Sequence, residues 1–213
     1  MTANEYLIRL NCLGPNIFGV NGVPLNRKRV AVIGGGNTAI DAVRYAVRIG
    51  AEEAMIVYRR GMDEMPARKE EIRHAAEEGV KFLTLHNPIE FIADENGRLK
   101  TMRLQRMELG EPDESGRRSP KPIPGDIIDV DVDIVVESVG YLPNPPSIPG
   151  LSTTKWGEII VDSESMKSNE NSVYAGGDIV RGAATVILAM GDGRKAARSM
   201  AKAFEQAMEN ISL

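Results

Sequence analysis

The amino-acid sequence predicts an α/β fold in which a parallel sheet carries an inserted antiparallel β flap. Short apolar runs alternate with segments whose apolar residues recur every three or four positions, which is the pattern of strands alternating with helices. A glycine-rich turn joins the first run to the first helical segment, and a stretch of alternating polar and apolar residues interrupts the series after its third strand. This order predicts a Rossmann-like sheet.

The first strand and helix surround the most informative motif of the chain. Residues 28–33 are predicted to form a buried strand and residues 38–49 a helix, and the turn Gly34-x-Gly36-x-x-Ala39 joins them. In such a turn the first glycine allows a sharp bend, the second lets a diphosphate approach the backbone, and the small third residue lets the helix pack on the strand. Because the helix N-terminus then faces the anion with unpaired N–H groups, the motif predicts a dinucleotide site. A glycine-rich turn without a ligand is the alternative.

The residues after the second strand indicate which dinucleotide binds. Residues 54–58 are predicted to form this strand, and Arg59 and Arg60 follow it. NAD sites usually carry an acidic residue here for the ribose 2′-hydroxyl, whereas arginine suits the 2′-phosphate of NADP. We therefore predict a preference for NADP(H) of roughly ten- to a hundredfold, taking ~1.4 kcal/mol per decade. Two solvated arginines at a strand end are the alternative.

The following segments predict the rest of the parallel domain and its insertion. In order, we expect a helix over 66–78, a strand over 81–85, hairpin strands over 89–93 and 99–109, a loop over 110–125, a returning strand over 127–130 and a parallel strand over 132–136. The last strand leads into the turn Ser138-Val139-Gly140, where Gly140 could permit close approach to a nicotinamide ribose. An ordinary strand-to-loop turn explains Gly140 equally well.

A second set of glycines occurs near the C-terminus. A predicted strand over 157–161 precedes the run Val173–Asp178, and a predicted helix over 185–207 follows it. The Asp178 carboxylate could accept a hydrogen bond from a ribityl-type hydroxyl, while the first N–H groups of the helix could face a carbonyl oxygen. This arrangement favours a second nucleotide site. An Asx-type turn followed by a helix cap is the alternative.

Composition excludes several other kinds of site. The 213 residues carry a net charge of −4 with mixed signs, which offers no basic stripe for nucleic acid. No run approaches the ~18 apolar residues of a membrane helix. Cys12 is the only cysteine, so the chain itself offers no intrachain disulfide, redox cysteine pair or cysteine-ligated iron–sulfur cluster. His74 and His86 are too sparse to indicate a metal site. We expect a cytoplasmic protein, because no secretory leader opens the sequence.

Five motifs follow one another along nearly the whole chain: Val32–Asp41, Tyr58–Arg60, Glu64–Ala67, Ser138–Gly140 and Ala175–Asp178. This ordered set resembles the small subunit of glutamate synthase. The same motifs occur in related flavoproteins, including the reductase part of dihydropyrimidine dehydrogenase and ferredoxin:NADP oxidoreductase subunits. The resemblance implies that NADPH gives hydride to FAD, which passes electrons singly to iron–sulfur clusters and a partner subunit. Those clusters would lie elsewhere in the full protein or in the partner.

The resemblance also implies a role for each motif. Since hydride passes directly between two cofactors, it implies no catalytic side chain and no metal. By position, the NADPH diphosphate would lie on Gly34, Gly36, Asn37, Thr38 and Ala39, the 2′-phosphate on Arg59 and Arg60, the nicotinamide side near Ser138, Val139 and Gly140, and FAD on Gly177, Asp178, Thr185 and Val186.

The expected domain organisation follows from what the sequence lacks. Members of this family carry an earlier glycine motif for FAD and upstream cysteines for iron–sulfur clusters, and this sequence has neither. The resemblance therefore predicts a C-terminal fragment: residues 1–26 connect from a missing half of the FAD domain, residues 27–143 form the NADP(H)-binding domain and residues 144–213 form the returning part of the FAD domain. We expect such a piece to bind NADPH better than FAD and to be inactive alone. A non-catalytic NADP(H)-binding or assembly subunit is the alternative function.

Overall fold

The computed structural model describes residues 1–13, 28–113 and 116–211, and the chain divides into two compact units, Met1–Val139 and Gly140–Leu213. The predicted connecting segment 1–26 lies partly outside the described residues, and its first part is a helix of the first unit. The elements are α1 (Ala3–Leu13), β1 (Arg29–Ile33), α2 (Asn37–Arg48), β2 (Glu53–Tyr58), α3 (Lys69–Glu77), β3 (Lys81–Thr84), β4 (His86–Ala93), β5 (Leu99–Pro112), β6 (Arg118–Asp131), β7 (Ile134–Glu137), α4 (Asp178–Arg181) and α5 (Val186–Ile211).

The parallel sheet of the first unit has the strand order β3-β2-β1-β7. Its neighbouring strands are all parallel, and Val32 of β1 lies opposite Ile56 of β2 and Val136 of β7. A doubly wound sheet places its first four parallel strands in this order, so the predicted Rossmann-like fold is confirmed. Because β1 lies between β2 and β7, the turn that follows it starts at the middle of the carboxyl edge of the sheet.

The two faces of this sheet are buried by different layers. Val30 of β1 packs in one apolar cluster with Ile40 of α2 and Tyr6 of α1. Side chains alternate along a strand, so Ala31 points to the opposite face, where it packs in a second cluster with Met102 of β5. Helices therefore cover one face of the sheet, and the flap covers the other.

The flap is an antiparallel sheet of order β4-β5-β6, inserted between β3 and β7. The predicted loop over 110–125 is wrong, because β5 continues to Pro112 and β6 begins at Arg118. Leu109 pairs with Pro120 in the ladder that joins these strands. Prolines are tolerated in β6 because it is an edge strand, where a backbone nitrogen can face solvent without the loss of a ladder hydrogen bond. Proline content therefore favoured a loop at a place where an edge strand forms.

The second unit contains one long helix and little regular strand. The predicted strand over 157–161 is wrong, since this region makes only isolated bridges, of Thr153 with Ile159 and of Val161 with Ser168. The Asp162 carboxylate accepts hydrogen bonds from the backbone N–H and hydroxyl of Ser165, which turns the chain before a ladder can continue. Although α5 is long, neither it nor any other described helix is long and apolar enough to cross a bilayer.

Candidate functional site

The turn after β1 is fixed by a close approach of two backbones. Gly34 has a φ of +140°, and a Cβ built on it would lie 2.3 Å from the carbonyl oxygen of Ser138. The Gly34 N–H donates to the Val57 carbonyl at 3.0 Å, and the Ser138 N–H donates to the Ile33 carbonyl at 2.8 Å. The ends of β1, β2 and β7 are therefore tied together at this point. Only glycine fits at position 34, as the motif predicts.

Gly36 has the opposite environment, because a Cβ built on it would meet nothing within 4 Å. Its carbonyl accepts hydrogen bonds from the N–H groups of Ala39 at 3.0 Å and Ile40 at 3.2 Å, which begins helix α2. Asn37 and Thr38 are exposed, and their N–H groups precede the first acceptor inside the helix. The start of α2 thus presents to an open surface the positive end of its dipole and donors that have no partner in the described part of the chain.

Two small residues of this turn are required by packing. Ala39 is fully buried, which lets α2 lie close to the sheet. A Cβ built on Gly35 would lie 2.8 Å from the ring of Tyr58, so the middle glycine is also constrained. The motif treats this position as variable, and sequence reasoning did not single out Gly35 or the Tyr58 ring as part of the site.

A short segment between β2 and α3 is bonded to the glycine turn. The Tyr58 hydroxyl donates to the Glu64 carbonyl at 2.9 Å, and the Ala67 N–H donates to the Gly35 carbonyl at 3.1 Å. The Arg68 N–H donates to Asn37 Oδ1 at 2.9 Å. Met65 and Arg68 have extended backbone conformations and the chain bends at Ala67, so α3 begins at Lys69 rather than at residue 66. The motif Glu64–Ala67 is therefore part of the rim of the site.

The two arginines after β2 lie in different environments. Arg59 is exposed and makes no ion pair within the described chain, whereas Arg60 is only 6% exposed and its Nη2 donates to Asp113 Oδ2 at 2.5 Å. The buried Nε of Arg60 has no hydrogen-bond partner among the residues that the structure describes. Arg60 therefore joins the end of β2 to the flap, whereas the Arg59 side chain makes no ion pair in the described chain. The assignment of both arginines to a 2′-phosphate stays a prediction.

The turn after β7 adjoins the glycine turn at one residue. Ser138 is half-buried, and its carbonyl lies against Gly34. Val139 is 75% exposed. Gly140 has a φ of +93° and open space where a Cβ would lie. The backbone conformation, and not close packing, therefore favours glycine at this position. Gly140 is the first residue of the second unit.

The predicted flavin-contacting residues of the second unit surround the start of α5. Gly177 is buried with a φ of +77°, while Asp178 is exposed and its Oδ1 accepts a hydrogen bond from the Ala184 N–H at 3.3 Å. Thr185 is exposed, and its hydroxyl oxygen accepts a hydrogen bond from the Leu188 N–H at 3.4 Å as a helix cap. Val186 is 76% exposed. The carboxylate and the helix N-terminus therefore share one exposed surface of this unit.

A buried carboxylate that sequence reasoning missed holds this second turn. Asp192 is 1% exposed, accepts the Gly177 N–H at 3.0 Å and accepts Nε and Nη2 of Arg181, each at 2.6 Å. A Cβ built on Gly176 would lie 2.7 Å from the Cβ of Asp192. The hydrogen bonds from Arg181 first, and then the Gly177 N–H, lower the pKa of Asp192 to about 2. The available sequence signal was an aspartate between Gly191 and Gly193 inside a helix.

Comparison with known proteins identifies the family. Residues 16–204 match the sequence model of the pyridine nucleotide-disulphide oxidoreductases. The chain belongs to this family. This oxidoreductase-family chain is 38% identical over 208 residues to the glutamate synthase [NADPH] small chain of Azospirillum brasilense, and the match covers 94% of the chain and 43% of that protein. The predicted resemblance to glutamate synthase small subunits is confirmed.

A second relative agrees with the family, and a solved structure agrees with the fold. The NADP(+)-dependent formate dehydrogenase subunit beta of Moorella thermoacetica is 45% identical over 177 residues, covering 83% of this chain and 25% of that protein. Mycobacterium tuberculosis FprA in complex with NADPH superposes with a TM-score of 0.70 at 22% identity, covering 89% of this chain and 55% of that one. This oxidoreductase-family chain therefore spans less than half the length of these two curated relatives.

Proposed function

We propose that the first unit binds NADP(H), with the dinucleotide diphosphate at the N-terminus of α2. The observation that carries this proposal is the open surface over Gly36, because the two glycines before it are packed against Ser138 and Tyr58 while a side chain at Gly36 would contact nothing. An open backbone beside unpaired helix N–H groups favours a bound anion. The exposed side of Asn37 and Thr38 would then meet the diphosphate.

Arg59 supports NADP(H) over NAD(H). It is exposed, it follows the second strand of a doubly wound sheet, and no carboxylate pairs with it in the described part of the chain. An unpaired arginine at this position suits the 2′-phosphate of NADP, whereas a carboxylate would suit the 2′-hydroxyl of NAD. The glutamate synthase and formate dehydrogenase relatives carry NADPH or NADP(+) in their names, which agrees with this choice.

We further propose that the chain is the electron-input part of a flavin-dependent oxidoreductase similar to the small chain of glutamate synthase, with iron–sulfur centres of a partner as the next acceptor. The second unit fits a flavin nucleotide, because the exposed Asp178 carboxylate can accept a hydrogen bond from a ribityl hydroxyl and the N–H groups at Thr185 and Val186 can donate to a carbonyl oxygen. Bound FAD would supply a group that accepts hydride and releases single electrons.

The residues of the chain would bind and orient rather than react. Gly34 and Ser138 fix the turn, the start of α2 holds the diphosphate and Arg59 selects the 2′-phosphate. The Gly177 N–H is already bonded to Asp192, so this residue shapes the second turn instead of donating to a ligand. Hydride transfer between two cofactors needs no protein nucleophile or general base, so orientation is the contribution expected from the protein.

Calorimetric titration of the chain with NADP and NAD in the same buffer tests the first step. We expect NADP to bind roughly tenfold more tightly, because one exposed charge-assisted contact distinguishes the two ligands. Equal affinities would contradict the proposed contact of Arg59 with the 2′-phosphate. If neither ligand binds, the proposed nucleotide site itself is contradicted.

Flavin reduction tests the wider role and separates it from a non-catalytic NADP(H)-binding or assembly subunit. The chain would be combined with the FAD-binding half of a glutamate synthase small chain, and flavin absorbance would be followed after NADPH is added. Bleaching of the flavin supports the electron-input role. NADPH binding without bleaching, in a complex that retains FAD, would favour the non-catalytic role.

A further inference from the structure

The arginines around the first site fall into two groups, those that form an ion pair with a carboxylate and those that do not. Residues 28–80 contain seven arginines, and five of them pair with carboxylates: Arg29, Arg44, Arg48, Arg60 and Arg73. The other two are Arg59 and Arg68, which are both exposed and have no carboxylate partner in the described part of the chain. Arg59 already has a proposed ligand in the 2′-phosphate. The Arg68 side chain has no role in the fold or in the function described so far.

The backbone of Arg68 is held at the rim of the diphosphate site. Its N–H donates to Asn37 Oδ1 at 2.9 Å, and Asn37 is the first residue of α2. The preceding N–H, from Ala67, donates to the Gly35 carbonyl at 3.1 Å. Two consecutive residues of this segment are thus bonded to the glycine turn itself. The long Arg68 side chain starts beside the helix end where the diphosphate is proposed to lie.

The position of Arg68 is unfavourable for a cation unless an anion is close. It is the residue immediately before α3, so its charge lies at the positive end of the α3 dipole as well as beside the start of α2. The first turn of α3 carries Glu70 and Glu71, and Glu71 is paired with Arg44. Neither carboxylate forms an ion pair with Arg68 in the described part of the chain, so the exposed guanidinium lies beside two helix N-termini where a bound anion would stabilise it.

We propose that the Arg68 guanidinium binds the diphosphate of the dinucleotide, together with the N–H groups that begin α2. This inference rests on the proposed function of the first unit and adds a second arginine with a different task. Arg59 distinguishes NADP from NAD, and Arg68 binds the part that the two dinucleotides share. Guanidinium groups suit this task because their N–H donors match the oxygens of phosphate groups.

The test is calorimetric titration of the wild-type chain and of R68Q with NADP and with NAD. We expect R68Q to lose affinity for both ligands by the same factor, roughly three- to tenfold for an exposed charge-assisted contact, so that the ratio of the two affinities stays unchanged. The two matched controls are K69Q, which removes the adjacent charge, and R73Q, which removes an exposed arginine of the same helix. Both controls should bind as the wild type does.

Three results would overturn the proposal. A loss confined to NADP would place Arg68 at the 2′-phosphate instead, an equal loss in K69Q would show a general effect of charge, and unchanged binding by R68Q would show no contact. Thermal unfolding of R68Q should match the wild type or exceed it, because the variant removes a cation from a helix N-terminus. If the wild-type chain binds neither dinucleotide, the proposed function fails together with this inference, whereas failure of the R68Q prediction alone leaves that function intact.

Discussion

The two glycine turns of this protein precede helices in the same way in the sequence, but they are built for different purposes. The turn at residues 34–36 ends beside an open surface, where the first donors of α2 have no partner among the described residues. The turn at residues 176–178 is closed from within, because buried Asp192 accepts the Gly177 N–H and lies against Gly176. One turn leaves its first helix donors without a partner among the described residues, whereas the other uses a donor to fix its own shape.

This difference shows that glycine can be required for reasons that a motif does not distinguish. A side chain at Gly34 would overlap the backbone of Ser138. A side chain at Gly176 would overlap the Cβ of Asp192 in α5, so both positions require glycine. At Gly36 no atom of the described residues would obstruct a Cβ, so packing within the chain does not require glycine there. Substitutions at Gly34 and Gly176 therefore test whether packing requires glycine, and a substitution at Gly36 tests whether ligand binding requires it.

The largest effect is expected from Gly34→Ala. The added methyl group would overlap the Ser138 carbonyl, which a Cβ would meet at 2.3 Å, and the φ of +140° disfavours any side chain. We expect a loss of at least about 3 kcal/mol in the free energy of unfolding, measured by urea denaturation. The matched variant Gly36→Ala should lose less than about 1 kcal/mol, the cost of a poorer helix N-cap, but should bind NADP more weakly. Equal destabilisation by the two variants would contradict the distinction between them.

A large effect, confined to the second unit, is expected from Asp192→Ala. This variant leaves Arg181 and the Gly177 N–H without their shared acceptor, so residues 176–181 should lose amide protection in hydrogen-exchange measurements. Asp192→Asn retains one acceptor oxygen and should lose less protection. The control Asp162→Asn changes an exposed aspartate of the same unit and should leave residues 176–181 protected. Unchanged protection in Asp192→Ala would refute the locked turn.

The same carboxylate predicts an acid-dependent change. Because Arg181 and the Gly177 N–H lower the pKa of Asp192 in the folded state, its stabilisation is fully present above the usual aspartate pKa. That stabilisation should be lost as the pH falls from about 4 to about 2, between the usual aspartate pKa and the folded one. Hydrogen exchange of residues 176–181 at several pH values measures this loss. Asp192→Asn should remove the pH dependence, and its persistence in that variant would assign the effect to another group.

An intermediate effect is expected from Arg60→Ala. Removal of this buried guanidinium removes the contact between Arg60 and Asp113 and weakens the connection between β2 and the flap. We expect a loss of about 2 kcal/mol in the free energy of unfolding, because Asp113 is partly exposed and can be rehydrated. The ratio of NADP to NAD affinity should change little. A variant of unchanged stability with a lost preference for NADP would show that Arg60 leaves Asp113 to bind the phosphate.

The smallest effect is expected from Arg59→Ala. This arginine is exposed and unpaired in the described chain, so unfolding should change by less than about 0.5 kcal/mol. NADP affinity should fall roughly tenfold while NAD affinity stays the same, because only NADP carries the 2′-phosphate. Calorimetry with both ligands measures the change. An equal fall for the two ligands would place Arg59 at the diphosphate and not at the 2′-phosphate.

The sequence predicted those features that depend on local periodicity. The parallel strands, the helix after Gly36 and the inserted flap all have patterns that are legible over a few residues. The loop predicted over 110–125 is a strand, because an edge position that tolerates proline is decided by the neighbouring strand β5. The strand predicted over 157–161 does not form, because the Asp162 carboxylate accepts the Ser165 N–H and turns the chain there.

The candidate site was predicted less completely than the fold, because long-range partners decide what each charge can do. Arg59 and Arg60 are adjacent in sequence, yet a distant aspartate of the flap pairs with one of them only. Asp192 lies 15 positions from the Gly177 N–H that it accepts, so no local pattern connects them. The sharp turn at Gly34 was predicted because it belongs to a motif, whereas the close approach of Ser138 to Gly34 and the contact of Gly35 with Tyr58 depend on this particular fold.

The prolines of the flap have a consequence for how this protein behaves at high concentration. Pro120, Pro122 and Pro124 lie at alternate positions of β6, so their nitrogens face the same side of the strand, and Pro88 lies in β4 at the opposite edge of the sheet. A strand from another molecule would therefore find few N–H groups to bond with along residues 118–124 of β6. This part of the strand is a poor template for edge-to-edge association of two flaps.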